Sequence, residues 1–352
     1  MSEATPHHSN SSSSSSSSSF LNYTTVTGFF LQDEASTDAS TFDYTTVNLG
    51  LINRTYPTDA TYDVHGTKTQ WQRFAHYVHT LNAEARPHVQ YKVLIMGRHG
   101  EGYHNVAESF YGTPAWNCYW SELDGNGTVT WADAHLTDAG QQQALVANAF
   151  WQKALSAAKI PPPQSYYTSP LARCLATANL TFGGLELPED RPFKPVVKEL
   201  LREAIGVHTC DRRSSKTWIH DSYPDFPIEH GFAEDDPLWK ADLRETTSAQ
   251  VLRMTALLTD IFTHDSNTFI SLTSHSGSIG AILTAIGHRT FSLVTGAVIP
   301  VLVKAERLPG PRSPATSIAA STGPPTCTAD PSSAVDGGSM VASATAATTT
   351  TV

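Results

Sequence analysis

Four short β-rich runs in this sequence each end in a cluster of polar residues, and helical patterns separate them. Tyr91–Gly97 (YKVLIMG) leads into Arg98-His99-Gly100, and Ser165–Thr168 (SYYT) leads into SPLARCLATA. Lys194–Leu201 (KPVVKELL) leads into Arg202-Glu203, and Thr268–Thr273 (TFISLT) leads into Ser274-His275-Ser276-Gly277. Gly296–Glu306 reads as a late strand, in which Pro300 predicts an edge or a bulge because it cannot donate to a ladder. Leu136–Leu155 reads as a helix with Thr137 as N-cap and Ala144, Leu145, Ala149 and Phe150 at helical spacing. Pro170 marks the first turn of another. Ser248–His264, with Val251, Leu252, Leu258 and Ile261, and the small-residue run Gly277–Gly287 are two more. Strands alternating with helices predict a three-layer α/β/α sandwich around a mostly parallel central sheet. In such sheets ligands sit at the carboxyl ends of the strands, where these polar clusters fall.

The ends of the chain have a different character. Residues 1–19, with the serine-rich run His7–Ser19, have nothing to bury and are expected to lack structure. The Pro/Ser/Thr/Ala-rich tail 308–352 is expected to do the same, leaving one folded domain over 20–307. A net charge of −10 and a pI near 5.8 argue against a nucleic-acid partner, which requires a basic face. No run approaches the length of a membrane span. The four cysteines form no C-x-x-C pair and no apolar leader is visible, so reduced structural thiols and a cytoplasmic location are expected. The sequons at Asn10, Asn22, Asn53, Asn126 and Asn179 then read as chance.

Taken together, the clusters offer two arginines (Arg98, Arg173), two histidines (His99, His275) and a carboxylate (Glu203). Arginine presents a fixed fork of N–H donors that fits phosphate oxygens. A histidine among arginines can attack phosphorus through a ring nitrogen. The leaving alkoxide then needs a proton, which Glu203 can give. The arginines neutralise the charge on the transferring group, so neither metal nor cofactor is expected. Arg202, Arg212 and Arg213 are candidate substrate contacts, with a solvated basic patch as the alternative. Trp116, Trp120 and Trp131 are candidates for a pocket wall. His76 and His79, at i, i+3 spacing, read as packing or surface residues.

RHGEGYHN resembles the phosphohistidine signature of the histidine phosphatase superfamily, which includes the cofactor-dependent phosphoglycerate mutases. TSPLARCLATA, LTDAG, ELLREAIGVHTCDRR, TSHSGSI and TGAVIPVLVKAE resemble further segments of that family, ELLREAIGVHTCDRR that of its fungal members. The resemblance runs in order from Tyr91 to Glu306. It implies that His99 is the phosphorylated nucleophile and Glu203 the proton donor. It further implies that Arg98, Arg173 and His275 hold the phosphate and that Asn105 contacts it. The expected activity is that of a metal-independent phosphomonoester phosphatase acting on a small phosphorylated metabolite. The alternatives are a phosphomutase, an accessory enzyme of a fungal biosynthetic pathway, and a phosphate-dependent interaction module without turnover.

Overall fold

The computed structural model describes residues 18–312 and 320–331. The strands are β1 (Ser19–Thr25), β2 (Val89–Arg98), β3 (Ser165–Thr168), β4 (Val196–Val197), β5 (Arg244–Glu245), β6 (Phe269–Ser274), β7 (Val298–Pro309) and β8 (Ser321–Thr322). The helices are α1 (Asp59–Tyr62), α2 (Gln70–Glu84), α3 (Tyr103–Tyr111), α4 (Thr113–Cys118), α5 (Asp138–Lys153), α6 (Ala172–Phe182), α7 (Lys216–Ser222), α8 (Thr247–His264) and α9 (Ser276–Ala285). Six strands form one sheet in the order β1-β7-β2-β6-β3-β4. The run β2, β6, β3, β4 is parallel, while β7 lies antiparallel between β2 and β1.

The continuous apolar run in β2 follows from its central place, since both of its faces are buried. Val93 and Ile95 face Trp71 and Phe74 of α2 and Trp151 of α5. Leu94 and Met96 face Leu258 and Phe262 of α8 and Ile282 of α9. The three layers expected from the sequence are therefore present. On α5 the buried stripe is Gly140, Ala144, Ala147 and Trp151, rotated from the one expected, and Leu145 and Leu252 are exposed. Pro300 pairs with Ile95 of β2 where the β1 ladder has already ended at Val303, so β7 is locally an edge there. The expected strand Lys194–Leu201 shrinks to Val196–Val197, because Glu199–Leu201 coils into a 3-10 turn.

Two expectations about cysteines and tail need correction. Cys118 and Cys327 form a disulfide across 209 residues of sequence, while Cys174 and Cys210 are free and buried. The reading of four reduced thiols does not hold, and a cytoplasmic location loses that support. No helix among the described residues is long and apolar enough to cross a membrane. The tail is not wholly without structure either. β7 runs on to Pro309, β8 pairs with β5, and Trp120 donates its indole N–H to the Pro331 carbonyl at 3.2 Å. The remainder of the expected unstructured ends, residues 1–17, 313–319 and 332–352, lies outside the described residues.

The turn after β2 rests on a backbone-to-backbone contact with the start of α5. A Cβ on Gly100 would lie 2.2 Å from the Gly140 carbonyl oxygen, and one on Gly140 would lie 2.0 Å from the Glu101 carbonyl oxygen. Thr137 caps α5 by accepting from Gly140 N–H at 3.1 Å, and its hydroxyl reaches the Glu101 carboxylate at 2.7 Å. Gly140→Ala should therefore destabilise the protein by about 1–3 kcal/mol through overpacking. Gly280→Ala, in α9 with nothing within 4 Å of the added carbon, should be neutral or stabilising by up to about 1 kcal/mol. Urea midpoints of the two variants check this; equal shifts would show that the close approach is not a constraint.

Candidate active site

β2 and β6 pair in parallel with Arg98 opposite Ser274, so both strands end at one level. The next residues, His99 and His275, emerge side by side with ring centroids 5.1 Å apart. β3 ends at the same edge, Thr168 opposite Thr273, and places the following Ser169 hydroxyl 2.8 Å from His275 Nε2. Three helices begin around this edge: α3 with His104 and Asn105 in its first turn, α6 with Arg173, and α9, whose N-cap is His275. Their N-termini give the site a positive electrostatic bias.

These elements enclose a cavity of about 320 Å³ lined by Arg98, His99, Asn105, Arg173 and Glu203, among others. Five of the residues singled out for phosphate chemistry in the sequence thus meet in one place. His275 stands directly behind His99 and is fully buried. Arg212 and Arg213 do not line the cavity. Arg212 is half exposed and pairs with Asp124 at 2.7 Å. Arg213 is buried, bonded to Glu199 at 2.9 Å and to the carbonyls of Ser214, Ala233, Glu234 and Asp235. Arg213 therefore holds a loop together, and its donors are committed. Arg244 lines the cavity in their place.

His99 is held as a neutral imidazole of one tautomer. Its Nδ1 lies 2.7 Å from the Gly100 carbonyl, which can only accept, so the proton sits on Nδ1. Burial, then Arg173 and Arg98, hold the ring well below the usual histidine range, so it is neutral with its lone pair on Nε2. The Nε atoms of Arg98 and Arg173 are buried without a protein partner. Buried donors are rarely left so, and both of these belong to residues that line the cavity. The rest of Arg173 is anchored: it donates to the Cys210 carbonyl at 2.6 Å and to Asp211 at 2.8 Å. Burial would raise the Asp211 carboxyl, but Arg244 and Arg173 outweigh it and hold it at about 2. Glu203 is fixed by three N–H donors: Ala204 at 3.0 Å, Gln250 at 2.9 Å and Gly277 at 2.9 Å.

Several participants were not picked out from the sequence. His104, buried with an unpartnered Nδ1, lies inside the RHGEGYHN run that was quoted for its neighbours. Asp211 sits next to the two arginines chosen for their charge, and it is the group that orients Arg173. Of the three tryptophans expected from the sequence at a pocket wall, Trp116 lines the cavity, Trp131 packs behind it at 5.6 Å, and Trp120 stacks on Tyr111 instead. His208, Cys210 and Asp211 bring potential ligand atoms within 4.8 Å of one another. They do not suit a cation, because both Asp211 oxygens are taken by arginines and burial pushes the Cys210 thiol well up.

With this geometry in view, comparison with known proteins is specific. The model of the histidine phosphatase superfamily (branch 1) matches residues 94–295. This chain belongs to the histidine phosphatase superfamily. A "Probable phosphoglycerate mutase" of Arthroderma benhamiae is 54% identical over 286 residues, covering 81% of this chain and 85% of that protein. "Phosphomutase-like protein 3" of Candida albicans is 40% identical over 217 residues, covering 61% and 66%. The solved ecdysone phosphate phosphatase from Bombix mori, in complex with tungstate, aligns at 17% identity with a TM-score of 0.38, covering 65% and 96%. Membership makes the chain a phosphohydrolase or phosphomutase.

Burial of neutral histidines makes stability depend on pH. Burial first, then nearby cations, holds His99, His104 and His275 well below 6.5, and burial with Arg244 holds His208 at about 4. The unfolded chain binds these protons first, so this stability is complete above about pH 6.5. It is lost as pH falls toward the folded values, by about 1.4 kcal/mol per pH unit for each histidine. Urea unfolding without phosphate at pH 7.5, 6.0 and 5.0 should show a steep decline above the carboxylate range. A flat profile would mean that these rings are charged or exposed.

Proposed function

We propose that this chain is a phosphomonoester phosphatase that works through a phosphohistidine at His99. The observation that carries it is the neutral His99 ring, its Nδ1 proton held by Gly100, in a cavity with the unpartnered Nε donors of Arg98 and Arg173. The arginines and the helix N-termini would bind the phosphoryl oxygens. His99 Nε2 attacks phosphorus, the P–O bond to the alcohol breaks, and Glu203 delivers a proton to the departing oxygen. Water then attacks the phosphohistidine, Glu203 takes its proton, the P–N bond breaks, and His99 returns with release of phosphate. The names of the relatives favour a second reading, in which the phosphoryl group on His99 returns to an alcohol as in a mutase. Product analysis separates them: free phosphate for the phosphatase, an isomeric phosphate ester for the mutase.

The role given to Glu203 is tested through the leaving group. Glu203→Gln should slow the first step about 100-fold or more with alkyl phosphates, whose alkoxides need a proton. With p-nitrophenyl phosphate the first step should survive, and a burst of nitrophenolate should precede slow turnover, because water has lost its base. Stopped-flow measurement on both substrates checks this. An equal loss for both would reduce Glu203 to a positioning residue.

A further inference from the structure

The first turn of α3 carries a histidine that the proposed reaction does not use. His104 lines the cavity, and its ring centroid lies 5.3 Å from that of His99. The ring rests on Gly102: a Cβ there would lie 2.7 Å from His104 Nδ1 and 2.8 Å from its Cε1. An α-hydrogen of Gly102 takes that direction instead, and Nδ1 is buried against it without a hydrogen-bond partner. Nε2 is not buried in this way and bonds to no described residue, which leaves it open to the cavity. A proton on Nδ1 would be a buried donor with no acceptor, whereas on Nε2 it faces the cavity. Burial, then Arg173, His99 and Arg98, keeps the ring uncharged, and so does its place at a helix N-terminus. His104 is thus the opposite tautomer of His99, whose proton is held on Nδ1 by the Gly100 carbonyl.

We infer that His104 is a further catalytic residue: its Nε2–H donates a hydrogen bond to an oxygen of the phosphoryl group as that group moves onto His99 Nε2. The inference rests on the phosphohistidine reading proposed above. The proton stays on His104, because a neutral imidazole N–H is too weak an acid to give it up, so no bond is made or broken there. The charges that act most on the ring are those of Arg173, His99 and Arg98, the groups at the inner end of the cavity. The two arginines supply the positive charge, but part of each is turned away: Arg98 Nη1 to the Leu293 carbonyl, Arg173 Nη1 and Nη2 to Cys210 and Asp211. A neutral donor fixed in direction complements them, since the contact of its ring with Gly102 sets its aim before substrate binds. Nucleophile and donor stand at the two ends of one turn, His99 just after β2 and His104 in the first turn of α3.

Asparagine and glutamine separate the two ring nitrogens: a glutamine amide reaches the place of Nε2, the shorter asparagine amide only that of Nδ1. In the full chain, His104→Asn should lower kcat for p-nitrophenyl phosphate about 100-fold, the scale of one lost donor to a transition-state oxygen. Inhibition by vanadate, whose trigonal bipyramid resembles the transferring group, should weaken by a similar factor, and inhibition by phosphate much less. His104→Gln should recover at least about tenfold of the loss. A residue that merely fills the wall would make the two variants alike and weaken vanadate and phosphate equally, and that result overturns the inference. Two-bond proton–nitrogen NMR of the wild type labelled with 15N-histidine tests it without any variant. At neutral pH His104 should carry its proton on Nε2 and His99 on Nδ1; a His104 ring protonated on Nδ1, or on both nitrogens, overturns the inference. Either failure in a wild type that still forms phosphohistidine leaves the proposed reaction standing. A wild type that hydrolyses no ester and forms no phosphohistidine overturns that reading, and the inference with it.

Discussion

The parallel register between β2 and β6 sets the position of everything that reacts. Arg98 opposite Ser274 means that the two strands stop together, so His99 and His275 leave the sheet as neighbours. A one-residue slip would turn each side chain to the opposite face and bury the wrong half of β2. The two-sided burial of Val93 to Met96 penalises that slip heavily, so core packing and site geometry are fixed by the same constraint. The contact of Gly100 with Gly140 then fixes the turn from above, and Thr177, accepting from Gly100 N–H at 3.0 Å, fixes it from the α6 side.

Electrostatics complete what register begins. Burial keeps the histidines of the site neutral, which a nitrogen nucleophile requires. Positive charge is supplied instead by arginines, which stay charged when buried. Asp211, shared between Arg173 and Arg244, keeps two guanidinium groups close together without a bound anion. The unpartnered Nε atoms are what remains to be satisfied. Under the function proposed above, the cavity's donors are in place before the phosphoryl group arrives, and little reorganisation accompanies binding.

Much of this was legible in the sequence, and the failures have physical causes. A strand buried on both faces writes itself as an unbroken apolar run, which is why β2 stood out. Sequence order also carried Arg98, His99, Arg173 and His275 to strand ends and helix starts, and Glu203 to the loop after a 3-10 turn. Arg212 and Arg213 misled because sequence shows a charge but not its direction: one points to Asp124, the other to a ring of carbonyls. Asp211 and His104 act through burial, which a single polar residue in a loop or first turn does not announce. The Cys118–Cys327 link joins positions that no spacing rule connects, so the tail's composition concealed its attachment. β4 shortened because the chain must coil at Glu199–Leu201, with Arg202 buried against Glu199 and Asp236.

The account's central claim is that the phosphoryl group passes through the Nε2 of His99. Rapid quenching of the full-length protein during turnover of a 32P-labelled ester, followed by peptide mapping, measures it directly. The expected result is an acid-labile, base-stable label on the peptide carrying His99, chased into free phosphate by water and absent in His99→Ala. Label on Ser169 or Ser276, or full turnover by the His99→Ala protein, would contradict it.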